Sequence, residues 1–325
     1  MFDKQGRNID YIRISVTDRC NLRCRYCMPE EGVMQVGHKE ILGLDEIIRL
    51  VKIFGKLGIK KVKLTGGEPL VRKGLAELVS AIKSTEGIEQ VTLTSNGILL
   101  RENIGKLVNA GLDGINISLD TLSPDVYREI TRREGLDKVI EAIDRCAEFP
   151  QLRVKVNVVT LADYNLDEIE ALAELARVRN IDVRFIELMP VGLGKEFKGY
   201  SQNLMMERLS AAFGMPVRND EVHGNGPAEY YKFSGFKGNV GFISALSHTF
   251  CGSCNRIRLT SMGLLKPCLH FEEGADLRSL MREGAGDAEL LEIIEKTIYN
   301  KPSGHGFDSA GDCGTEKKLM SQIGG

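Results

Sequence analysis

Neither sign of charge dominates this sequence: 43 lysines and arginines face 45 aspartates and glutamates, a formal balance of -2. No global field therefore draws nucleic acid or an anionic membrane, and any anion site has to be local. Long apolar runs are missing as well. No stretch approaches the roughly 20 apolar residues of a membrane span, and the opening Met1–Arg7 carries no apolar core of the signal-peptide kind. The expectation is a cytoplasmic protein with neither a nucleic-acid nor a membrane partner. No internal repeat exceeds a strand–helix unit, and no low-complexity run occurs.

What the chain does have is apolar mass and cysteine. At 325 residues and 42% hydrophobic it can bury a large core without disulfide staples. Its eight cysteines are unevenly placed. Cys20, Cys24 and Cys27 form one trio and Cys251, Cys254 and Cys268 a second, while Cys146 and Cys313 stand alone. Two sets of three thiols suit metal ligation better than pairing. Cys146 lies on a helical pattern and reads as core, and Cys313 as a bystander.

Short apolar or β-branched runs predict strands at Tyr11–Val16, Val62–Leu64, Val91–Thr94, Gly114–Ser118, Val154–Val159 and Val183–Ile186. Apolar residues at three- and four-residue spacing predict helices between them, at Leu44–Leu57, Leu75–Ser84, Leu136–Phe149 and Leu166–Arg179. This alternation implies an α/β fold, a parallel sheet with helices outside it. Right-handed crossovers would curl six such units into a partial, TIM-like (β/α)6 barrel. Chemistry in such folds gathers at the carboxyl ends of strands, and there stand Gly66-Gly67-Glu68-Pro69, Ser95-Asn96-Gly97, Ser118-Leu119-Asp120 and Glu187-Leu188-Met189-Pro190. After Pro190 the alternation fades. Residues 1–189 are expected to form the barrel, and 190–325 a C-terminal region closing its mouth.

The first trio places three thiols on one short loop after the first strand. Three thiolates leave one iron of a 4Fe–4S cubane open to a ligand. A structural zinc site prefers a fourth ligand, and no histidine precedes His38. The spacing Cys-x3-Cys-x-aromatic-Cys, filled by Cys20, Cys24, Tyr26 and Cys27, resembles the signature of the radical S-adenosylmethionine (SAM) superfamily. That resemblance implies a cluster whose open iron chelates SAM, with reductive cleavage to a 5′-deoxyadenosyl radical. Gly66-Gly67-Glu68-Pro69 is similar to the motif that meets the SAM amino group. Alone it would read as a turn, although a carboxylate suits an ammonium and glycine permits close approach.

The second trio admits structural zinc with His248 or His270. Arg256 and Arg258 beside it, however, suit a polyanionic substrate. Tyr11–Cys20, Leu64–Pro69, Arg184–Met189, Cys251–Arg258 and the terminal Gly324-Gly325 together resemble the GTP 3′,8-cyclases, the family that opens molybdenum cofactor biosynthesis. The resemblance implies GTP as substrate, two 4Fe–4S clusters and SAM. It also implies a reducing electron donor and a downstream cyclic pyranopterin monophosphate synthase as partners; a homodimer is a further expectation. Residue by residue it implies GTP contacts at Arg13, Lys63, Thr94, Lys155, Arg184, Arg256, Ile257 and Arg258. SAM contacts fall at Tyr26, Gly67, Glu68, Ser118 and Met189, and a catalytic part goes to Arg13, Arg256, Arg258, Gly324 and Gly325. Lys63 departs from the family's frequent arginine, which keeps the charge but not bidentate phosphate recognition. Two other readings stay open: a radical SAM enzyme that modifies peptides, and a non-catalytic scaffold holding zinc.

Overall fold

The computed structural model describes residues 1–34, 37–221, 224–306 and 316–324. Six strands open the chain, β1 (Tyr11–Ser15), β2 (Lys61–Thr65), β3 (Gln90–Ser95), β4 (Gly114–Ser118), β5 (Arg153–Val159) and β6 (Asp182–Ile186). Helices α1 (Leu44–Lys56), α2 (Leu75–Lys83), α3 (Leu100–Asn109), α4 (Pro124–Thr131), α5 (Leu136–Ala147) and α6 (Ile169–Val178) alternate with them. The helix expected from Leu166 begins as a 3-10 turn, Leu166–Glu168, before α6. Neighbouring strands pair in parallel and in sequence order from β1 to β6.

Strict alternation along these strands sorts the side chains onto two faces. Ile12 and Ile14, Val62 and Leu64, Val91 and Leu93, Ile115 and Ile117, and Val183 and Phe185 all point outward. They share one apolar core with Leu50, Phe54, Leu78, Ile104, Ile143 and Leu172 of the surrounding helices. The opposite, inner face carries Arg13, Lys63, Thr92, Asn116, Lys155 and Arg184, which line one cavity. A closed TIM barrel fills its interior with branched apolar side chains. This one has a polar lumen.

The rest of the chain is β7 (Val217–Asn219), β8 (Glu229–Lys232), β9 (Val240–Ile243), β10 (Arg256–Leu259), β11 (Leu264–Lys266) and β12 (Ala275–Asp276). Helices α7 (Gln202–Phe213), α8 (Leu277–Arg282), α9 (Asp287–Tyr299) and the short α10 (Met320–Ile323) accompany them. Among the described residues the strands form one sheet in the order β12-β11-β10-β1-β2-β3-β4-β5-β6-β9-β8-β7. The C-terminal region therefore does more than cover a mouth. It adds β10 to one edge of the six-stranded sheet and β9 to the other, both in parallel. The reason is physical: β1 and β6 would otherwise present open rows of backbone donors and acceptors. The tail, Glu316–Gly324, ends at the carboxyl ends of β1 and β2, where Gly324 meets Ser15 and Thr65. Among the described residues no helix is long and apolar enough to cross a membrane.

Candidate active site

The two thiol trios sit at opposite ends of the lumen. Cys20, Cys24 and Cys27 follow β1 at its carboxyl end. Cys254 comes just before β10, whose Arg256 lies level with Tyr11 at the amino end of β1. Cys268 follows β11, which runs antiparallel to β10 and returns to that same end.

At the first end, the loop is fixed by backbone bonds from Cys27 N and Met28 N to Cys24 O, at 2.9 and 3.0 Å. Burial, followed by the charges of Cys27, Asp120 and Cys20, holds the Cys24 thiol well above the usual range. Burial with the charge of Cys20 pushes Cys27 up to about 12. Burial and the charge of Glu68 raise Cys20 too, and three buried thiols so raised ionise together only against a compensating positive centre, which an iron–sulfur cluster would supply. Tyr26 donates its hydroxyl to Asp120 Oδ2 at 2.7 Å, and Val159 N donates to Asp120 Oδ1 at 2.8 Å.

Glu68 is fully buried and already well supplied with donors. Leu70 N and Ser95 Oγ donate to its Oε1 at 3.0 and 2.9 Å, and Asn96 N to its Oε2 at 2.7 Å. Burial nevertheless pushes the carboxyl up to about 7. The two glycines before it have a structural reason of their own. A Cβ on Gly66 would stand 2.5 Å from Thr17 O, and one on Gly67 2.4 Å from Arg19 O. They let the turn close on the backbone leading into the cysteine loop, with Gly67 N and Glu68 N donating to Thr17 O and Arg19 O. Ser118 ends β4, and Met189 follows β6 on the same side.

The lumen between the trios is strongly basic. Lys63 is 6% exposed, and burial together with the charges of Arg13, Arg184, Lys155 and Arg256 holds its amine well below the lysine range. Burial and Arg184 bring Lys155 down to about 7. Burial, Arg13 and Arg256 bring Arg258 down to about 9. Among the described residues Arg13, Lys63, Arg184, Arg256 and Arg258 form no ion pair, and the Nε of Arg13 is buried without a hydrogen-bond partner. Arg184 donates from Nε and Nη2 to Asn157 Oδ1 at 2.9 and 2.6 Å, Lys155 to the Tyr230 hydroxyl at 3.0 Å, and Asn116 to Thr94 Oγ1 at 3.4 Å. Ile257 sits between two of the arginines but faces the other way, into the core. Any contact it makes with a lumenal ligand falls to its backbone.

At the second end, the positive charges of Arg256 and Lys301 act on Cys254. Burial alone would raise that thiol, but the two cations and the hydrogen bonds from Arg256 outweigh it and bring it to about 6. Three soft donors in a basic setting suit an iron–sulfur cluster. Among the described residues no three cysteine, histidine or acidic side chains converge on a point fit for a single metal ion, whereas cubane thiolates bind separate irons.

Gly324 has φ +89°. A Cβ there would stand 2.9 Å from Ser15 Cβ and 3.2 Å from Thr65 Cγ2, and the carbonyl of Gly324 accepts a hydrogen bond from Arg258 Nη1. Further back, Lys266 and Glu316 form an ion pair with side chains 0% and 1% exposed. Gly325 and Cys313 lie outside the described residues, and Cys146 is buried core, as its helical pattern implies. The sequence reading missed Asn116 and Asn157, which the two-residue period of β4 and β5 does signal. It marked Asp120 only by its place after β4, without a role, and it missed Arg7 and Lys301, for which no local pattern exists.

An open parallel barrel with thiol trios at both ends of a cationic lumen is the architecture of a radical SAM protein, and the profile of the Radical SAM superfamily matches residues 14–176. The profile of Molybdenum Cofactor Synthesis C matches 181–307. Crystal structures of Streptococcus suis SuiB share the fold, at a TM-score of 0.61 with 14% identity, covering 91% of this chain and 66% of that one. The form bound to its precursor peptide SuiA gives 0.62, with 15% identity over 97% and 71%. The GTP 3′,8-cyclase of Clostridium perfringens strain 13 is 48% identical over 325 residues, all of both chains. That of Desulforamulus reducens is 44% identical over 328, again all of both. The chain belongs to the GTP 3′,8-cyclase family, and its cofactors are 4Fe–4S clusters and SAM.

Proposed function

We propose that this protein cyclises GTP to (8S)-3′,8-cyclo-7,8-dihydroguanosine 5′-triphosphate, the first step of molybdenum cofactor biosynthesis. The observation that carries the reading is the lumen, where Arg13, Lys63, Arg184, Arg256 and Arg258 crowd together with no ion pair among the described residues. Like charges gathered so closely favour an anion among them, and a nucleoside triphosphate brings about four negative charges. Arg13, Lys63, Thr94, Lys155, Arg184, Arg256, Arg258 and the Ile257 backbone hold it.

Cys20, Cys24 and Cys27 hold the cluster that receives SAM, flanked by Tyr26, Gly67, Glu68, Ser118 and Met189. Cys251, Cys254 and Cys268 hold the second. When bound, the reduced cluster and SAM supply the carbon-centred radical that starts the cyclisation. The protein's own work is to hold the ribose toward the first trio and the base toward the second, and to keep water out. Gly324 closes the lumen from the carboxyl side. Asp120 holds the Tyr26 ring in place through its hydroxyl.

Residues 1–189 thus form the radical-initiating unit, and 190–325 complete the substrate end. The enzyme works in the cytoplasm, as a homodimer, with a reducing electron donor. A cyclic pyranopterin monophosphate synthase takes the product. Anaerobically reconstituted protein, given GTP, SAM and a strong reductant, should yield the cyclised nucleotide and 5′-deoxyadenosine and contain roughly eight irons per chain. Replacing Cys20, Cys24 and Cys27 with alanine should end SAM cleavage and leave about half the iron. A fully loaded protein that cleaves SAM but leaves GTP unchanged would refute the assignment.

A further inference from the structure

The backbone segments that carry the second trio come from two places in the chain, Cys251 and Cys254 from one and Cys268 from another, and two buried cations outside the trio tie both to a third segment, 301–303. Lys301 is 2% exposed and follows α9. Its ammonium donates to Arg256 O at 2.9 Å and to Pro267 O at 2.5 Å. Those carbonyls lie two residues after Cys254 and one before Cys268, so a single amine spans two cysteine-bearing segments. Arg7 is 8% exposed, and its Nη1 donates to Cys251 O at 2.9 Å and to Ser303 O at 3.3 Å. Its Nη2 reaches Pro302 O at 2.7 Å and Lys301 O at 3.3 Å. Segment 301–303 is thereby fastened to Cys251 through Arg7, and to the other two cysteines through the Lys301 side chain.

Arg7 is itself aimed. Asp3, whose side chain is fully buried, accepts from Arg7 Nε at 2.6 Å and from Arg7 N at 2.9 Å. Lys4 N in the same short N-terminal turn donates to Tyr299 O at 3.0 Å, at the end of α9. Every N–H of the guanidinium is used, four of its contacts being to main-chain carbonyls. Buried cations that bond carbonyls fix backbone geometry, because releasing either partner leaves a desolvated group unsatisfied.

We propose that Arg7 and Lys301 are positioning residues for the second thiol trio: a two-cation clasp that gathers three separate backbone segments so that Cys251, Cys254 and Cys268 can share one cluster. This rests on the reading that the second trio holds a cluster. The test is made in the full chain with Cys20, Cys24 and Cys27 changed to alanine, so that all remaining iron belongs to the second trio. Iron per chain, the electron paramagnetic resonance spectrum of the reduced protein and the melting temperature are measured after anaerobic reconstitution.

Adding Cys254→Ala should remove most of that iron; if the iron stays, the cluster reading fails on its own account. With that control in place, Lys301→Met and Arg7→Gln should each lower the iron at least two-fold and alter the spectrum, and Lys301→Arg should restore much of both. Unchanged iron and spectrum in Lys301→Met and Arg7→Gln would overturn the clasp. So would an equal loss of first-trio iron when the same substitutions are placed on a chain lacking Cys251, Cys254 and Cys268, because the two residues would then support the fold at large.

Discussion

Arg258 Nη1 donates to the carbonyl oxygen of Gly324, so a side chain of β10 grips the last described residue of the chain. The contact joins β10, the strand paired beside β1, to the tail that meets β1 and β2. Arg258 thus has two duties, one toward an anion in the lumen and one toward the tail.

Gly324→Ala should separate those duties. At φ +89° and ψ 99° a residue with a Cβ costs about 1–3 kcal/mol, and the Cβ would also press on Ser15 Cβ at 2.9 Å. A short tail relieves both strains by lifting out of the lumen. Iron content and GTP affinity should stay within about two-fold, the change in affinity being well under 1.4 kcal/mol. Cyclised product per 5′-deoxyadenosine should fall sharply. Quantifying both products by chromatography checks this, and an unchanged ratio would make the tail a passive end.

Glu316→Gln should destabilise the protein far more than an exposed substitution would. It leaves the Lys266 ammonium buried opposite a neutral amide, and breaking a buried pair in that way costs about 3–5 kcal/mol. Lys266→Met with Glu316→Leu should recover most of the loss. Denaturant melts of the three proteins decide it.

Proton uptake should accompany GTP binding. Burial and the charge of Arg184 bring Lys155 to about 7, against 10.5 ordinarily. Between those values the unfolded chain holds a proton that the folded one has released, so the stability of the ligand-free protein should rise with pH across that window. GTP restores the proton, so its affinity should weaken as pH climbs from about 7 toward 9. Calorimetry in two buffers of different ionisation enthalpy reads the uptake directly, and identical heats in both would contradict it.

Arg256→Ala should weaken GTP binding by about 1.5–3 kcal/mol, roughly ten- to a hundred-fold, since it removes a charge-assisted contact. Arg256 also stacks over Phe250 at 4.8 Å, so Arg256→Lys should recover the charge but only part of the affinity. Fluorescent-nucleotide titration measures all three.

The first half of the fold was legible because its signals are local. The runs at Tyr11, Gly114 and Val154 became β1, β4 and β5 with ends shifted by no more than a residue, and the periodic segments from Leu44 and Leu75 became α1 and α2. The two cysteine trios stood out by their spacing. What stayed hidden depends on contacts between distant residues. Val240–Ile243 and Arg256–Leu259 are four-residue strands, too short for a periodic signal, and only the open edges of β6 and β1 tell them where to go. Ile257 illustrates the same gap: its family match placed it with the substrate, while alternation along β10 sends its side chain to the core. Arg7 and Lys301 carry no motif, since a cation on a carbonyl can come from anywhere in the chain.

The pairing of Tyr11 with Arg256 also has a meaning in time. β1 is among the first strands to leave the ribosome, yet one of its two neighbours is 245 residues younger, counting from Tyr11 to Arg256. Until that neighbour arrives, β1 is a bare edge with the first cysteine loop hanging from its end. The nascent chain must pass through a stage in which Cys20, Cys24 and Cys27 are already made while the barrel that shelters them is unfinished.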